Sequence, residues 1–191
     1  MLKKNIKLIF EESISLKTKC LNQGLDVISL IGDEACKTIQ NKGKIMFCGN
    51  GGSASDAQHL VAEMLIRLRP TKNREGIAAI SLAQDTSTIT ACGNDYGFDT
   101  LYERTLRSLG KKEDCFIGIS TSGNSKNVIN AIKKAKEKSM ITIGFLGKNK
   151  TIMNDYCDIT INIPSDDTAR VQESHIKLGH IICQIVEDKL F

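Results

Sequence analysis

The chain alternates short apolar runs with longer amphipathic stretches, and this pattern predicts alternating strands and helices. Runs with the length of buried strands occur at 45–48, 76–82, 114–120, 141–146 and 158–163. Helical periodicity occurs at 55–70, 99–109, from 126 onward and at 168–190, while 84–99 predicts a short helix followed by a loop. Because strands that alternate with helices need crossover connections, we predict an α/β fold with a three-layer, doubly wound sheet of five parallel strands.

The first 41 residues carry only helical periodicity. Two apolar stripes separated by a break near 22–24 predict a helical hairpin over residues 2–41. The apolar face of this hairpin needs a partner, and we expect it to pack against another subunit. The stretch 168–190 predicts a long C-terminal helix. No linker divides the chain, so we predict a single domain over 1–191, with the hairpin ahead of an α/β core at 44–191.

Composition narrows the class of protein. Of the 191 residues, 41% are hydrophobic and 25% charged, which is typical of a globular domain. The net charge of +4 is mild and tryptophan is absent, so we expect no nucleic-acid partner, and an anionic small molecule fits at least as well. The seven cysteines are odd in number and form no CxxC pair, which indicates reduced, buried thiols. Without a signal-peptide core or a membrane-spanning run, we expect a cytoplasmic protein with no membrane partner.

The stretch 44–70 joins an apolar strand to a helix through the glycine turn Gly49-Asn50-Gly51-Gly52-Ser53. A helix N-terminus that follows such a turn aims backbone N–H groups and a positive dipole end at one point, which suits a phosphate. His59 and Glu63 lie one turn apart on the polar stripe of the same helix, so they can converge on a metal or a substrate. The alternative is an ordinary solvated helix face.

A second turn, Ser120-Thr121-Ser122-Gly123-Asn124-Ser125, also lies between a strand and a helix, and we call it the hydroxyl turn. It has no lysine where a P-loop needs one and lacks the spaced glycines of a dinucleotide site, so it predicts a single phosphate held by neutral donors. The alternative is an ordinary capped turn. Because the carboxyl ends of parallel strands share one edge, the two turns together predict one shared phosphate site.

The C-terminal helix offers Gln172, His175 and His180. Gln172 and His180 are eight residues apart, about 80° around the helix and roughly 12 Å along it. Binding one metal from both would need side chains that lean together or a subunit contact that shapes the site. Helix geometry by itself favours polar residues at a helix edge, with His175 at the surface or at an interface.

These motifs together resemble the sugar-isomerase (SIS) domain family and, within it, the phosphoheptose isomerases. The resemblance extends over essentially the whole chain. Each motif is weak singly, but their order is specific. The motifs are Cys48-Gly49-Asn50-Gly51-Gly52-Ser53, Asp56-Ala57-Gln58-His59, Gly93-Asn94-Asp95-Tyr96-Gly97-Phe98, the hydroxyl turn, and Pro164-Ser165 with Thr168-Ala169-Arg170-Val171-Gln172-Glu173.

The resemblance implies an SIS-type fold, a homotetramer with active sites at subunit contacts, and a divalent metal, usually zinc, one per subunit. The metal ligands that it implies are His59, Glu63, Gln172 and His180. The residues that it implies for the sugar phosphate are Asn50, Gly51, Gly52, Ser53, Glu63, Asn94, Asp95, Ser120, Thr121, Ser122, Ser125 and Gln172.

The same resemblance implies that the chain converts sedoheptulose 7-phosphate to D-glycero-D-manno-heptose 7-phosphate through an enediol. This step supplies heptose for lipopolysaccharide or capsule. The catalytic residues that it implies are Glu63, as the base, and His180, as the partner acid. Arg67 would orient Glu63, bind substrate or remain a surface arginine. The alternative function is a scaffold that binds the replication initiator protein, as in a relative that lacks the acid at the position of Glu63. The presence of Glu63 favours the enzyme.

Overall fold

The computed structural model describes residues 1–82 and 84–191. The strands are β1 (Ile45–Gly49), β2 (Ala79–Ser81), β3 (Cys115–Ser120), β4 (Ile141–Leu146) and β5 (Ile159–Asn162). The α-helices are α1 (Leu2–Gln40), α2 (Gly52–Leu65), α3 (Thr86–Asp95), α4 (Leu101–Leu109), α5 (Lys126–Glu137), α6 (Ile152–Tyr156) and α7 (Thr168–Leu190), and a 3₁₀ turn spans Phe98–Thr100.

The five strands form one parallel sheet in the order β2-β1-β3-β4-β5. Alternate side chains of β1 enter two different cores: Ile45 and Phe47 pack with α1, α2 and α7, while Met46 and Cys48 pack with α4 and α5. Side chains that alternate across a strand bury both faces of the sheet only when helices cover both. The predicted three-layer, doubly wound fold is therefore confirmed.

The prediction of an N-terminal helical hairpin is wrong, because α1 is one continuous helix of 39 residues. Gly24 does not break this helix but lies buried within it. A Cβ on Gly24 would stand 3.3 Å from Ile28 Cδ1 and 3.8 Å from Ile161 Cδ1 of β5. A Cβ on Gly32 would stand only 2.7 Å from Ile185 Cγ2 of α7. The glycines thus allow close packing of α1 against its neighbours, a role that local propensity cannot distinguish from a helix break.

Smaller differences concern the ends of elements. The helix predicted over 55–70 begins at Gly52 and ends at Leu65, and the strand predicted over 76–82 is limited to Ala79–Ser81. The short helix α6 is not apparent in the sequence pattern, because five residues give no helical period. The long helix α7 has the predicted bounds.

The seven cysteines all carry free thiols. Cys48 and Cys115 are fully buried in the sheet, and burial raises the pKa of both thiols, as expected for cysteines that act as small core residues. Within 1–82 and 84–191, no helix has the combined length and apolar character needed to cross a bilayer.

Candidate active site

The glycine turn places the start of α2 directly against α7. Gly51 has φ 56° and ψ −123°, a conformation that costs glycine little and other residues much. A Cβ on Gly52 would lie 2.3 Å from Gln172 Nε2, so only glycine admits the Gln172 amide at this point. Ser53 is buried in the first turn of α2, where its backbone N–H donates to Asn50 O at 3.0 Å.

The hydroxyl turn folds its serines around one another. Ser120 Oγ lies 3.0 Å from Ser125 Oγ and 3.4 Å from Ser122 Oγ, and the Gly123 N–H donates to Ser120 Oγ at 3.1 Å. The Ser125 side chain does not cap α5, which begins at the next residue, although the Val128 N–H already donates to Asn127 Oδ1 at 3.0 Å. Hydroxyls and the positive end of a helix therefore meet at one place, which is the arrangement that binds a phosphate group.

A polar cavity of about 350 Å³ adjoins this turn. Thr121 and Ser122 line one side, Lys148 lies beyond β4, and Thr168 marks the start of α7. Lys148 forms an ion pair with Asp166 at 2.7 Å, so its charge is already partly balanced. The cavity connects the hydroxyl turn with the N-terminal end of α7.

A reciprocal amide pair ties the two turns together. Asn50 Nδ2 donates to Asn127 Oδ1 at 2.8 Å, and Asn127 Nδ2 donates to Asn50 Oδ1 at 2.9 Å. The Tyr102 hydroxyl also donates to Asn50 Oδ1 at 3.1 Å and contacts the Gly49 carbonyl. Sequence reasoning missed Asn127 and Tyr102. For Asn127 a signal was present, since it is a polar residue in the otherwise apolar buried stripe of α5.

Three candidate metal ligands converge between α2 and α7. His59 Nε2 lies 2.8 Å from His180 Nε2 and 3.3 Å from Glu63 Oε1, and the ligand atoms of all three residues lie within 4.8 Å of one another. In a tetrahedral zinc site with bonds of about 2.0–2.1 Å, ligand atoms are separated by about 3.3 Å. Two imidazoles and one carboxylate are a donor set found in catalytic zinc sites. The residues therefore fit a divalent metal of this kind.

Comparison with known proteins identifies the family. The family model of the SIS domain matches residues 10–147. The chain is 48% identical over 161 residues to phosphoheptose isomerase 1 of Campylobacter jejuni, covering 84% of this chain and 86% of that protein. It is 44% identical over 192 aligned positions to the phosphoheptose isomerase of Clostridium acetobutylicum, covering 100% of this chain and 97% of that protein. This chain belongs to the SIS-domain family.

Within the SIS-domain family the chain belongs to the phosphoheptose isomerases, and it is an isomerase. Solved structures agree with this assignment. The phosphoheptose isomerase of Neisseria gonorrhoeae superposes with a TM-score of 0.92 at 39% identity, over 98% of this chain and 100% of that one. That of Francisella tularensis superposes with a TM-score of 0.94 at 32% identity, over 99% and 100%.

Gln172, the fourth ligand implied by the SIS family, packs on Gly52 and forms a hydrogen bond with Asp56. Asp56 lies one turn before His59 on α2, so Gln172 contacts α2 one turn before the His59–Glu63–His180 cluster. Burial raises the pKa of Asp56, and the hydrogen bond from Gln172 and the nearby His59 act in the opposite direction. A carboxylate only accepts hydrogen bonds, so an ionised Asp56 takes the amide N–H and leaves the amide oxygen of Gln172 for another partner.

Two other predicted substrate residues of this SIS chain lie elsewhere. Asn94 and Asp95 are exposed at the end of α3, where Asn94 Nδ2 donates to Asp95 Oδ1 at 2.8 Å. Across the described residues, no hydrogen bond joins either side chain to the glycine turn or the hydroxyl turn. Asp95 instead lines a separate cavity of about 410 Å³ between α3 and α4.

Arg67 lies where one of its predicted roles places it, whereas His175 does not. Arg67 is exposed and donates to the Pro70 carbonyl at 3.2 Å, which fits a surface arginine. The prediction of a surface or interface His175 is wrong, because its side chain is 1% exposed. Its Nε2 lies 3.1 Å from the Leu146 carbonyl at the end of β4. Burial lowers the pKa of His175 to about 4 despite this hydrogen bond, so the ring is neutral near pH 7.

Proposed function

We propose that this chain is a sugar-phosphate isomerase that converts sedoheptulose 7-phosphate to D-glycero-D-manno-heptose 7-phosphate. The observation that carries the proposal is the His59–Glu63–His180 cluster, which joins a carboxylate and two imidazoles beside a phosphate-type turn. The names of the relatives in Campylobacter jejuni and Clostridium acetobutylicum support the phosphorylated heptose as substrate.

The phosphate of the substrate would bind at the hydroxyl turn. Ser120, Thr121, Ser122 and Ser125 supply hydroxyls, and the start of α5, where the Ser125 side chain forms no cap, supplies backbone N–H groups. Neutral donors and a helix dipole can hold a phosphate dianion without a lysine. The sugar would then extend towards the glycine turn and towards the metal-binding cluster, where the predicted contacts are Asn50, Gly51, Gly52, Ser53, Glu63 and Gln172.

Glu63 and His180 would move the protons. Conversion of a ketose to an aldose removes a proton from C1, forms an enediol, and returns a proton to C2. Glu63 acts as the base at C1, and His180, on the facing helix, acts as the acid. A carboxylate has two oxygens, so Glu63 can contribute one to a metal and use the other for proton transfer. Together these groups supply the acid and the base that enediol chemistry requires.

Zinc, one ion per subunit, would be held by His59, Glu63, His180 and the Gln172 amide. When bound, such an ion polarises the carbonyl and hydroxyl oxygens of the sugar. The ligand atoms of Glu63 and the two histidines lie within 4.8 Å of one another, and this grouping supports the assignment. Gln172 is supported by its position next to Asp56, one turn from His59.

Assembly into a homotetramer is part of the proposal. The first half of α1 exposes an apolar stripe in which Ile6, Ile9, Phe10 and Ile14 are 46–66% exposed. An exposed row of large apolar side chains along one end of a helix is typical of an interface between subunits. Asn94 and Asp95 would then reach the substrate at a subunit contact. We further propose that residues 1–191 form one SIS domain, that the enzyme is cytoplasmic, and that its product supplies heptose for lipopolysaccharide or capsule.

The decisive experiment measures conversion of sedoheptulose 7-phosphate by the purified protein in D₂O. Enediol chemistry predicts deuterium at C2 of the heptose, detected by NMR or mass spectrometry. General acid–base catalysis contributes about 10²–10⁴-fold, so Glu63→Gln should lower kcat by at least about 100-fold. Glu113→Gln is the matched control, because it makes the same substitution at an exposed glutamate. Removal of the metal with a chelator should abolish turnover, and Zn²⁺ should restore it.

Two results would overturn the proposal. A folded, zinc-loaded protein that does not convert the sugar would refute the isomerase assignment and make binding of a protein partner the next hypothesis. Heptose formed without deuterium at C2 would refute proton return by a separate acid such as His180, because the C1 proton would then have reached C2 without exchange.

A further inference from the structure

A buried carboxylate on α7 accepts several hydrogen bonds from the segment that follows α2. The side chain of Glu187 is fully buried. Its Oε1 accepts from the Leu68 N–H at 3.0 Å and from Arg74 Nε at 2.8 Å, and its Oε2 accepts from Arg69 Nε at 3.0 Å. Burial acts to raise the pKa of Glu187, but these hydrogen bonds outweigh it and lower the pKa below its ordinary value. Glu187 is therefore ionised at neutral pH.

Arg74 connects this carboxylate to the last turn of α2. Its side chain is also fully buried. Besides the bond to Glu187, its Nη2 donates to the Glu63 carbonyl at 2.8 Å and its Nη1 donates to the Met64 carbonyl at 2.8 Å. These carbonyls belong to the C-terminal end of the helix, where a cation is favoured by the helix dipole. One guanidinium thus joins the backbone of Glu63 to α7.

The position of this ion pair relates it to the metal-binding cluster. Glu187 is seven residues after His180, which places it on the same side of α7 and about 10 Å further along the helix. At the other end, Gly179 lets Leu60 approach α7 beside His59 and His180. The cluster therefore lies between a close helix contact and a buried ion pair, and both fix α2 relative to α7.

We propose that Glu187 and Arg74 are positioning residues for the isomerase, which hold the backbone of Glu63 where its carboxylate can meet His59 and His180. The inference rests on the proposed function, because it assigns the ion pair to the metal-binding and proton-transfer cluster. Ligand distances in metal sites vary by only about 0.2 Å, so a small displacement of α2 on α7 should weaken binding of the ion.

The test measures the affinity for Zn²⁺ by competition with a chromophoric chelator, without substrate, for the wild type, Glu187→Gln and Arg74→Lys. Arg74→Lys keeps a charge beside Glu187 but lacks the fixed fork that reaches the Glu63 and Met64 carbonyls together. We expect both variants to bind Zn²⁺ at least about tenfold more weakly, as for other residues that orient metal ligands. They should lower kcat with little change in KM, since the hydroxyl turn belongs to β3 and α5.

Asp188→Asn is the matched control, because it removes a neighbouring but half-exposed carboxylate of α7. It should leave the zinc affinity within about twofold of the wild type. Removing one partner of a buried ion pair can unfold a protein, so Arg74→Lys decides the matter if Glu187→Gln does not fold. A folded Arg74→Lys protein with wild-type zinc affinity would refute the positioning role and leave the isomerase intact. A wild type that binds Zn²⁺ but does not convert the sugar would refute the proposed substrate. The comparison of zinc affinities between the wild type and the variants would still test the role of the ion pair.

Discussion

Substitution of Gly179 by alanine should disturb the metal-binding cluster through packing alone. A Cβ on Gly179 would lie 2.4 Å from Leu60 Cδ2, 2.5 Å from Cδ1 and 2.9 Å from Cγ. Carbon atoms pack at about 3.5–4.0 Å, so the helices or the side chain must move by about 1 Å. Leu60 is fully buried, so its methyl groups have little free space to enter.

Two opposing effects set the change in unfolding free energy for Gly179→Ala. Overpacking a core costs about 1–3 kcal/mol, whereas alanine gains about 1 kcal/mol over glycine within a helix. We therefore expect a net loss of about 1 kcal/mol in the free energy of unfolding. Zinc affinity should fall at least about tenfold, because His180 is adjacent and a shift near 1 Å exceeds the tolerance of a metal site. Denaturant unfolding and chelator competition measure the two quantities.

Two further variants make the test specific. Gly93→Ala is the control, since a Cβ on this α3 glycine meets nothing within 4 Å and should not lower stability or zinc affinity. Leu60→Ala removes all three clashing atoms, so adding Gly179→Ala to it should not weaken zinc binding further. Wild-type zinc affinity in a folded Gly179→Ala protein would show that the helix spacing at this point does not control the cluster.

Three other predictions follow from single contacts. Asn127→Leu removes both Asn127 hydrogen bonds from the half-buried Asn50 amide, which keeps its bond from Tyr102, and should cost about 1 kcal/mol in unfolding free energy while raising KM for the sugar phosphate; an unchanged KM would contradict the link between the turns. Gly51→Ala should cost about 1–3 kcal/mol by calorimetry through backbone strain alone, because its Cβ would meet nothing within 4 Å. His175 has a pKa of about 4 in the folded protein against an ordinary value of 6.5, so only the unfolded chain takes up its proton as pH falls from 6.5 to 4. Stability should therefore fall by about 3 kcal/mol over that interval, and His175→Leu should flatten the pH profile of denaturant unfolding.

Much of the fold could be predicted because it depends on local pattern. Buried parallel strands need apolar runs, and α7 has a regular apolar stripe, so the five strands and the bounds of this helix follow from the sequence. The two turns were apparent as well, since glycine and hydroxyl residues stand together between a strand and a helix, although an ordinary capped turn was the alternative for the hydroxyl turn. The break expected near Gly24 was wrong because a glycine needed for packing and one that ends a helix look alike along the chain.

The arrangement of the cluster depended on the packing of α2 on α7. Within α7, the eight-residue spacing of Gln172 and His180 indicated only a helix edge, because a spacing along one helix carries no information about the facing helix. The fold decides that His180 meets His59 at 2.8 Å, and a glycine at 179 lets the two helices come that close. The burial of His175 and the joining of Glu187 to Arg74 have the same origin, since each joins residues distant in sequence. The sequence by itself thus determined the strands, the turns and the residue types of the site, whereas the tertiary structure decided which of those residues meet.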